Sequence, residues 1–236
     1  MSGWKAKRFW TKAEVTPTDA GFGILLDGRP VKTPAKAALV VPTRAFAEAI
    51  AAEWDAQDKE VRPLTMPYTR TANAAIDKVT AQHDEVAEML AAYGDCDLTC
   101  YRATGPQELI DRQAAAWDPL LAWTKSELGA DLTARAGVIH VPQTASANDI
   151  LAQNVRQLDS FRLAAFHDLV GISGSLVIGF AVLRGKLTAD EGWDLSRVDE
   201  EWQIEQWGRD EEADSLAETK KVDFRHAASV IELIKE

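Results

Sequence analysis

Apolar and polar positions change period early in the chain. Residues 22–26 form a short apolar run, Asp27-Gly28 is a turn dipeptide, and Val31, Lys32 and Thr33 begin a return before Pro34. This is the signature of a β-hairpin. Residues 9–15, ended by Thr16-Pro17, and residues 38–41, ended by Pro42, flank it, so three or four short antiparallel strands are predicted. Beyond Pro42 the period becomes helical. Thr43 is placed to cap a helix carrying Phe46, Ala49, Ile50 and Trp54, which breaks near Arg62-Pro63.

From Pro67 onward helices dominate, over residues 69–78 and then 80–93, where Val79, Val86, Met89, Leu90 and Tyr93 line one face and Gly94 stops the run. Residues 95–102 read as extended chain or a short turn. Gly105-Pro106 opens the next helix, Asp118-Pro119 resets its register with Asp118 capping a fresh segment, and Gly129 ends it. Residues 138–141 read as an isolated strand or a loop. Three long helices follow over 146–168, 169–183 and 188–207, the last opening with a Thr188/Glu191 capping box. An acidic helix over 209–221 and an amphipathic one over 224–234 close the chain. The predicted class is α+β: a small N-terminal antiparallel β domain, residues 1–64, followed by a larger helical bundle, residues 65–236.

The stretch 196–208, SRVDEEWQIEQWG, has two apolar stripes on one helix. At about 100° per residue, Leu195, Val198 and Trp202 fall on one side, with Trp193, Ile204 and Trp207 roughly opposite and Glu200 within the second stripe. One stripe is enough for a core. The second either packs beneath another helix or faces a partner, and a carboxylate among tryptophans suits a contact surface.

Composition narrows the function. With 37 acidic against 26 basic residues the formal charge is −11, which argues against a nucleic-acid partner. Cys96 and Cys100 make neither a disulfide framework nor a zinc site, and point to a reducing compartment. The first ten residues have no apolar leader core, and the apolar run over 169–183 is too short to span a bilayer. The expectation is a cytoplasmic protein that is not membrane-embedded.

Candidate chemistry is sparse. Ser173 in GISGS lacks the second glycine of a nucleophile elbow, so the small residues there are read as helix packing. His83, His140, His167 and His226 are scattered, no phosphate-cradling motif is present, and nothing converges on the acidic pairs Asp199-Glu200-Glu201 or Glu211-Glu212. Asp95 and Asp97 near Arg102 favour structural bracing over a site. No catalytic, metal-binding or cofactor-binding residue is assigned, and no cofactor is expected. An enzyme with an unrecognised acidic cleft and a self-associating scaffold remain the competing classes.

Several motifs together resemble the assembly chaperones of the F-type ATP synthase catalytic head that bind its free alpha subunit. Arg8-Phe9, LDGRPVKTP over 26–34, Glu53-Trp54-Asp55-Ala56-Gln57, Met66/Thr69/Asn73/Asp77, Asp95/Asp97/Cys100-Tyr101-Arg102, Trp117-Asp118-Pro119 and Trp123 carry the likeness along the chain. Glu200-Glu201-Trp202-Gln203-Ile204 with Trp207-Gly208 is similar to the family signature E-E-x-Q-I-x-x-W-G, with Val198 and Asp199 as conservative departures. The resemblance implies a non-enzymatic, cofactor-free, monomeric chaperone that shields the beta-binding surface of the alpha subunit. It implies a bacterial, cytoplasmic version, organellar relatives working in the mitochondrial matrix. On this reading Glu200, Glu201, Gln203 and Trp207 form or support the binding surface and Trp54 braces interdomain packing. Glu200 beside Trp207 is the stronger contact candidate, and Glu201 a rim or salt-bridge residue.

Overall fold

The computed structural model describes residues 7–235. Strands β1 (Ala13–Thr18) and β2 (Gly21–Leu26) pair antiparallel, and β2 also pairs with β3 (Arg29–Pro30) and β4 (Val40–Val41). Asp27 and Gly28 both take positive φ, at 46° and 79°, as a two-residue hairpin turn between Leu26 and Arg29 requires. The Asp27 carboxylate is fixed by the backbone N–H groups of Thr11 and Lys12, which hold it below the usual carboxylate range. The first strand lies later than the 9–15 run predicts, and Pro17 sits inside it. Among the described residues β1 pairs only with β2, so the missing N–H falls on the edge away from β2.

Helix α1 (Arg44–Asp55) starts at Thr43, whose hydroxyl accepts the Phe46 N–H, and buries Phe46, Ala47, Ile50 and Ala51 against the sheet. A short 3₁₀ turn, Pro63–Thr65, leads to α2 (Pro67–Ala74). Residues 65–83 pack with the sheet and α1, because the Glu53 carboxylate on α1 accepts the N–H groups of Tyr68 and Thr69 at the start of α2. By contact density the described chain forms two compact units. One comprises residues 7–83, Ser160–Ala164 and 229–235; the other comprises Asp84–Asp159 and Ala165–Ala228.

The second unit contains most of α3 (His83–Ala91), the short parallel pair β5 (Tyr101–Arg102) and β6 (Arg135–Ala136), α4 (Gln107–Trp123), α5 (Ala145–Arg156), most of α6 (Ser160–Ser173), α7 (Leu176–Leu183), α8 (Ala189–Ser196), α9 (Val198–Trp207) and most of α10 (Glu211–Leu233). Every residue of α7 is buried. A Cβ at Gly179 would stand 2.8 Å from Val170 Cγ2, so the small residue allows α6 and α7 to approach closely. Asp97, itself buried, accepts from Ser175 Oγ at 2.8 Å and Val177 N at 3.0 Å, placing a carboxylate at the α7 N-terminus. Burial pushes its carboxyl up from the ordinary value, while these donors and Thr99 pull the other way.

Four helix boundaries differ from the periodicity. The run over 146–183 is three helices, α5, α6 and α7, broken before Ser160 and at Gly174, whose φ of 70° ends α6 and leaves Ser175 to cap α7. Helix α4 runs through Pro119: Trp117 and Leu120 anchor it in the core, and Asp118 spends its carboxylate on Arg102 at 2.8 Å rather than on a cap. Residues 211–233 form one helix, since no glycine or proline interrupts them and Phe224, Ala227, Val230 and Ile231 are buried. The run 188–207 divides at Arg197 into α8 and α9. There the Leu195 carbonyl accepts the Trp117 indole N–H at 2.8 Å instead of serving only the helix ladder. The Thr188/Glu191 capping box is present.

Candidate binding groove on helix α9

The break at Arg197 decides which side of α9 is free. Val198 goes into the core beside the break, and Trp193, on the α8 side, is 7% exposed. The two-stripe pattern does not extend as one surface: Trp193 belongs to the core, against Phe224 at 6.2 Å between ring centroids, whereas Trp207 is 80% exposed.

Helix α9 is mounted on α4. Arg112 donates to both oxygens of Glu205, at 2.9 and 2.7 Å, and its guanidinium lies 5.0 Å from the centre of the Trp202 ring. This pairing holds the Glu205 carboxyl below its ordinary value. Gln113 Nε2 donates to Asp199 at 2.6 Å while its own carbonyl accepts the Ala103 N–H. The fully buried Trp117 lies under Arg102, whose guanidinium is 5.4 Å from the ring centre. A planar cation over an aromatic face and a two-pronged ion pair both fix orientation, so α9 sits in one register on α4.

Between α9, α4 and β5 runs an open groove of about 500 Å³, lined by Tyr101, Arg102, Leu109, Gln113, Val138, Asp199, Trp202, Gln203, Gln206 and Trp207. Its polar members are largely engaged within the protein, while Val138, 93% exposed, and Trp207 offer apolar surface. Nearby, Ile139 is 83% exposed on the same loop.

The predicted residues divide. Gln203 and Trp207 line the groove. Glu200 is partly buried on the flank that also carries Trp207 and pairs with Arg197 at 3.0 Å. Glu201 is exposed and lies outside the lining. Trp54 belongs to the first unit, where its ring meets Trp10 edge-on at 5.2 Å. Sequence reasoning did not assign Asp199, Trp202 and Gln206 to the site, although they share a face with Gln203 at helical spacing. It also missed Val138 and Ile139, where a run of apolar residues next to Pro142 in a predicted loop was the available signal.

No three His, Cys, Asp or Glu side chains among the described residues are arranged to hold a metal. Cys96 and Cys100 are free thiols, and burial pushes the Cys100 thiol up to about 12. No helix among the described residues is long and apolar enough to cross a membrane.

Helix α9 thus presents an exposed tryptophan beside a groove, and comparison with known proteins supplies the family. The ATP12 chaperone protein family model matches residues 7–125. The mitochondrial protein atp12 of Schizosaccharomyces pombe is 28% identical over 222 residues, covering 89% of this chain and 76% of that one. Among solved structures, Atp12 from Paracoccus denitrificans matches with a TM-score of 0.95 at 46% identity, covering 98% of this chain and 99% of that one. A mutant of the Paracoccus protein matches with the same TM-score at 45% identity, over 98% of each chain. The same two-part arrangement, a small antiparallel sheet followed by helices, runs through both folds, and the chain belongs to the ATP12 chaperone family.

Proposed function

We propose that this protein is an assembly chaperone of the F-type ATP synthase that binds the unassembled alpha subunit of the catalytic head, shielding its beta-binding surface until assembly. The observation that carries the reading is Trp207, 80% exposed at the end of a helix that Asp199, Trp202 and Glu205 brace against α4. An exposed tryptophan beside a groove is the residue type that dominates binding energy when a partner covers it. Gln203 and Trp207 make direct contact, Glu200 stands at their flank, and Glu201 lies at the rim.

The protein works without catalysis or cofactor on this reading. The carboxylate in the groove, Asp199, accepts from Gln113, so the acidic-cleft alternative lacks a free acid–base pair there. The likeness to a bacterial protein supports action in the cytoplasm.

The test is co-purification and light scattering with free alpha subunit of the cognate ATP synthase, with beta subunit as control. A stoichiometric complex that keeps the alpha subunit from aggregating and dissolves when the beta subunit is added is the expected result. Absence of binding to alpha overturns the assignment of the client.

A further inference from the structure

The first unit holds a second cleft, of about 620 Å³, that the α9 groove does not explain. Trp10, Leu26, Val31 and Trp54 give it an apolar lining, and Lys7, Arg29 and Lys32 are its charged members; no carboxylate lines it. In a chain of net charge −11, an apolar cleft lined by cations alone is a local inversion of charge.

Two further observations mark it as built to receive something. Phe9, also on the cleft, is 63% exposed but already ordered, edge-on to Trp10 at 5.3 Å and 5.8 Å from the Arg29 guanidinium. An aromatic side chain held in place loses little freedom when a ligand covers it. The indole N–H groups of Trp10 and Trp54, two rings of the lining, are buried and meet no acceptor among the described residues.

We propose that this cleft is a peptide-docking site for a segment in which one large apolar side chain is flanked by carboxylates. The apolar side chain enters between Trp10, Trp54, Leu26 and Val31, and the carboxylates meet Arg29, Lys32 and Lys7 through charge-assisted hydrogen bonds. Charge selects this occupant: residues 1–6 of the chain itself carry Lys5 and no acidic side chain. The inference does not rest on the reading of the α9 groove.

The experiment follows the tryptophan indole N–H resonances of the full-length, ¹⁵N-labelled protein. The probe is a blocked peptide with a central phenylalanine and two aspartates on either side; its control carries lysines in place of the aspartates. The aspartate peptide is expected to shift the Trp10 and Trp54 signals saturably and leave those of Trp202 and Trp207 in place. Arg29→Glu with Lys32→Glu is expected to weaken that binding by roughly tenfold or more, as loss of charge-assisted contacts at exposed positions should. Trp10 and Trp54 signals that keep their dispersed positions in the peptide-free variant report that the first unit still folds. The proposal is overturned by no shift at millimolar peptide, by equal binding of the lysine peptide, by affinity unchanged in the charge-reversed variant, or by shifts confined to Trp202 and Trp207. Signals of Trp10 and Trp54 that move on dilution without peptide assign the cleft to a second copy and also overturn it.

Discussion

Two motif-bearing stretches, Glu53 to Gln57 on and after α1 and Glu200 to Gly208 on α9, carry similar residue types and have opposite fates. In the first, Glu53 accepts from Tyr68 N, Thr69 N and Thr69 Oγ1 at 2.6–2.8 Å. Gln57, 4% exposed, donates to the Glu53 carbonyl and Thr65 and accepts from Arg62 N. Trp54 leans on Trp10. In the second, Glu201, Gln203 and Trp207 are exposed. A polar group whose hydrogen-bonding capacity is spent inside the protein holds the fold, and an aromatic ring left uncovered by the fold is available to a partner. Similar residues at similar helical spacing thus report different tasks, and only the accounting of partners separates them.

The sharpest way to break the comparison is to truncate the inward motif. Glu53→Ala leaves two N–H groups at the start of α2 without their acceptor and should lower unfolding free energy by about 2–4 kcal/mol in urea titration. Alpha-subunit binding by the molecules that remain folded should be unchanged; a variant as stable as the parent would undo the distinction. Asp97→Ala should act similarly in the second unit, at about 2–3 kcal/mol, because Ser175 Oγ and Val177 N at the α7 N-terminus lose their buried acceptor.

Trp207→Ala should do the reverse. Stability should stay within about 0.5 kcal/mol, as for a surface substitution, while affinity for the alpha subunit falls by about 2 kcal/mol, some thirtyfold, by calorimetry. Glu200→Lys should weaken the same binding by about 1 kcal/mol and leave the monomer folded; an unfolded variant would instead assign Glu200, through Arg197, to the fold. Smallest of all, Glu205→Gln should leave the denaturation midpoint unmoved, since its pair with Arg112 is open to solvent. Its use is to show whether alpha binding depends on how firmly α9 is held.

Much of the fold was legible because it is written locally. The Asp27-Gly28 turn, the Thr43 cap, the Thr188 capping box and the stop at Gly129 each depend on residues within a few positions of one another. What periodicity missed depends on distant partners. The division at Arg197 accompanies a hydrogen bond from Trp117, and the passage of α4 through Pro119 is secured by core anchors and by Arg102. The candidate groove was legible in part for the same reason. A helical wheel placed Trp207 and Glu200 together, but Val138 and Tyr101 reach the groove only because β5 and β6 pair.

The exposure of Trp207 also gives the protein an optical handle. Trp10, Trp117 and Trp193 are buried, and Trp54, Trp123 and Trp202 are partly so, leaving Trp207 as the open indole among the described residues. Among these seven rings, emission at the red edge of the fluorescence spectrum, and quenching by a solute that stays in water, therefore come chiefly from Trp207. A client that settles over α9 announces itself by shifting that emission to the blue, without any label.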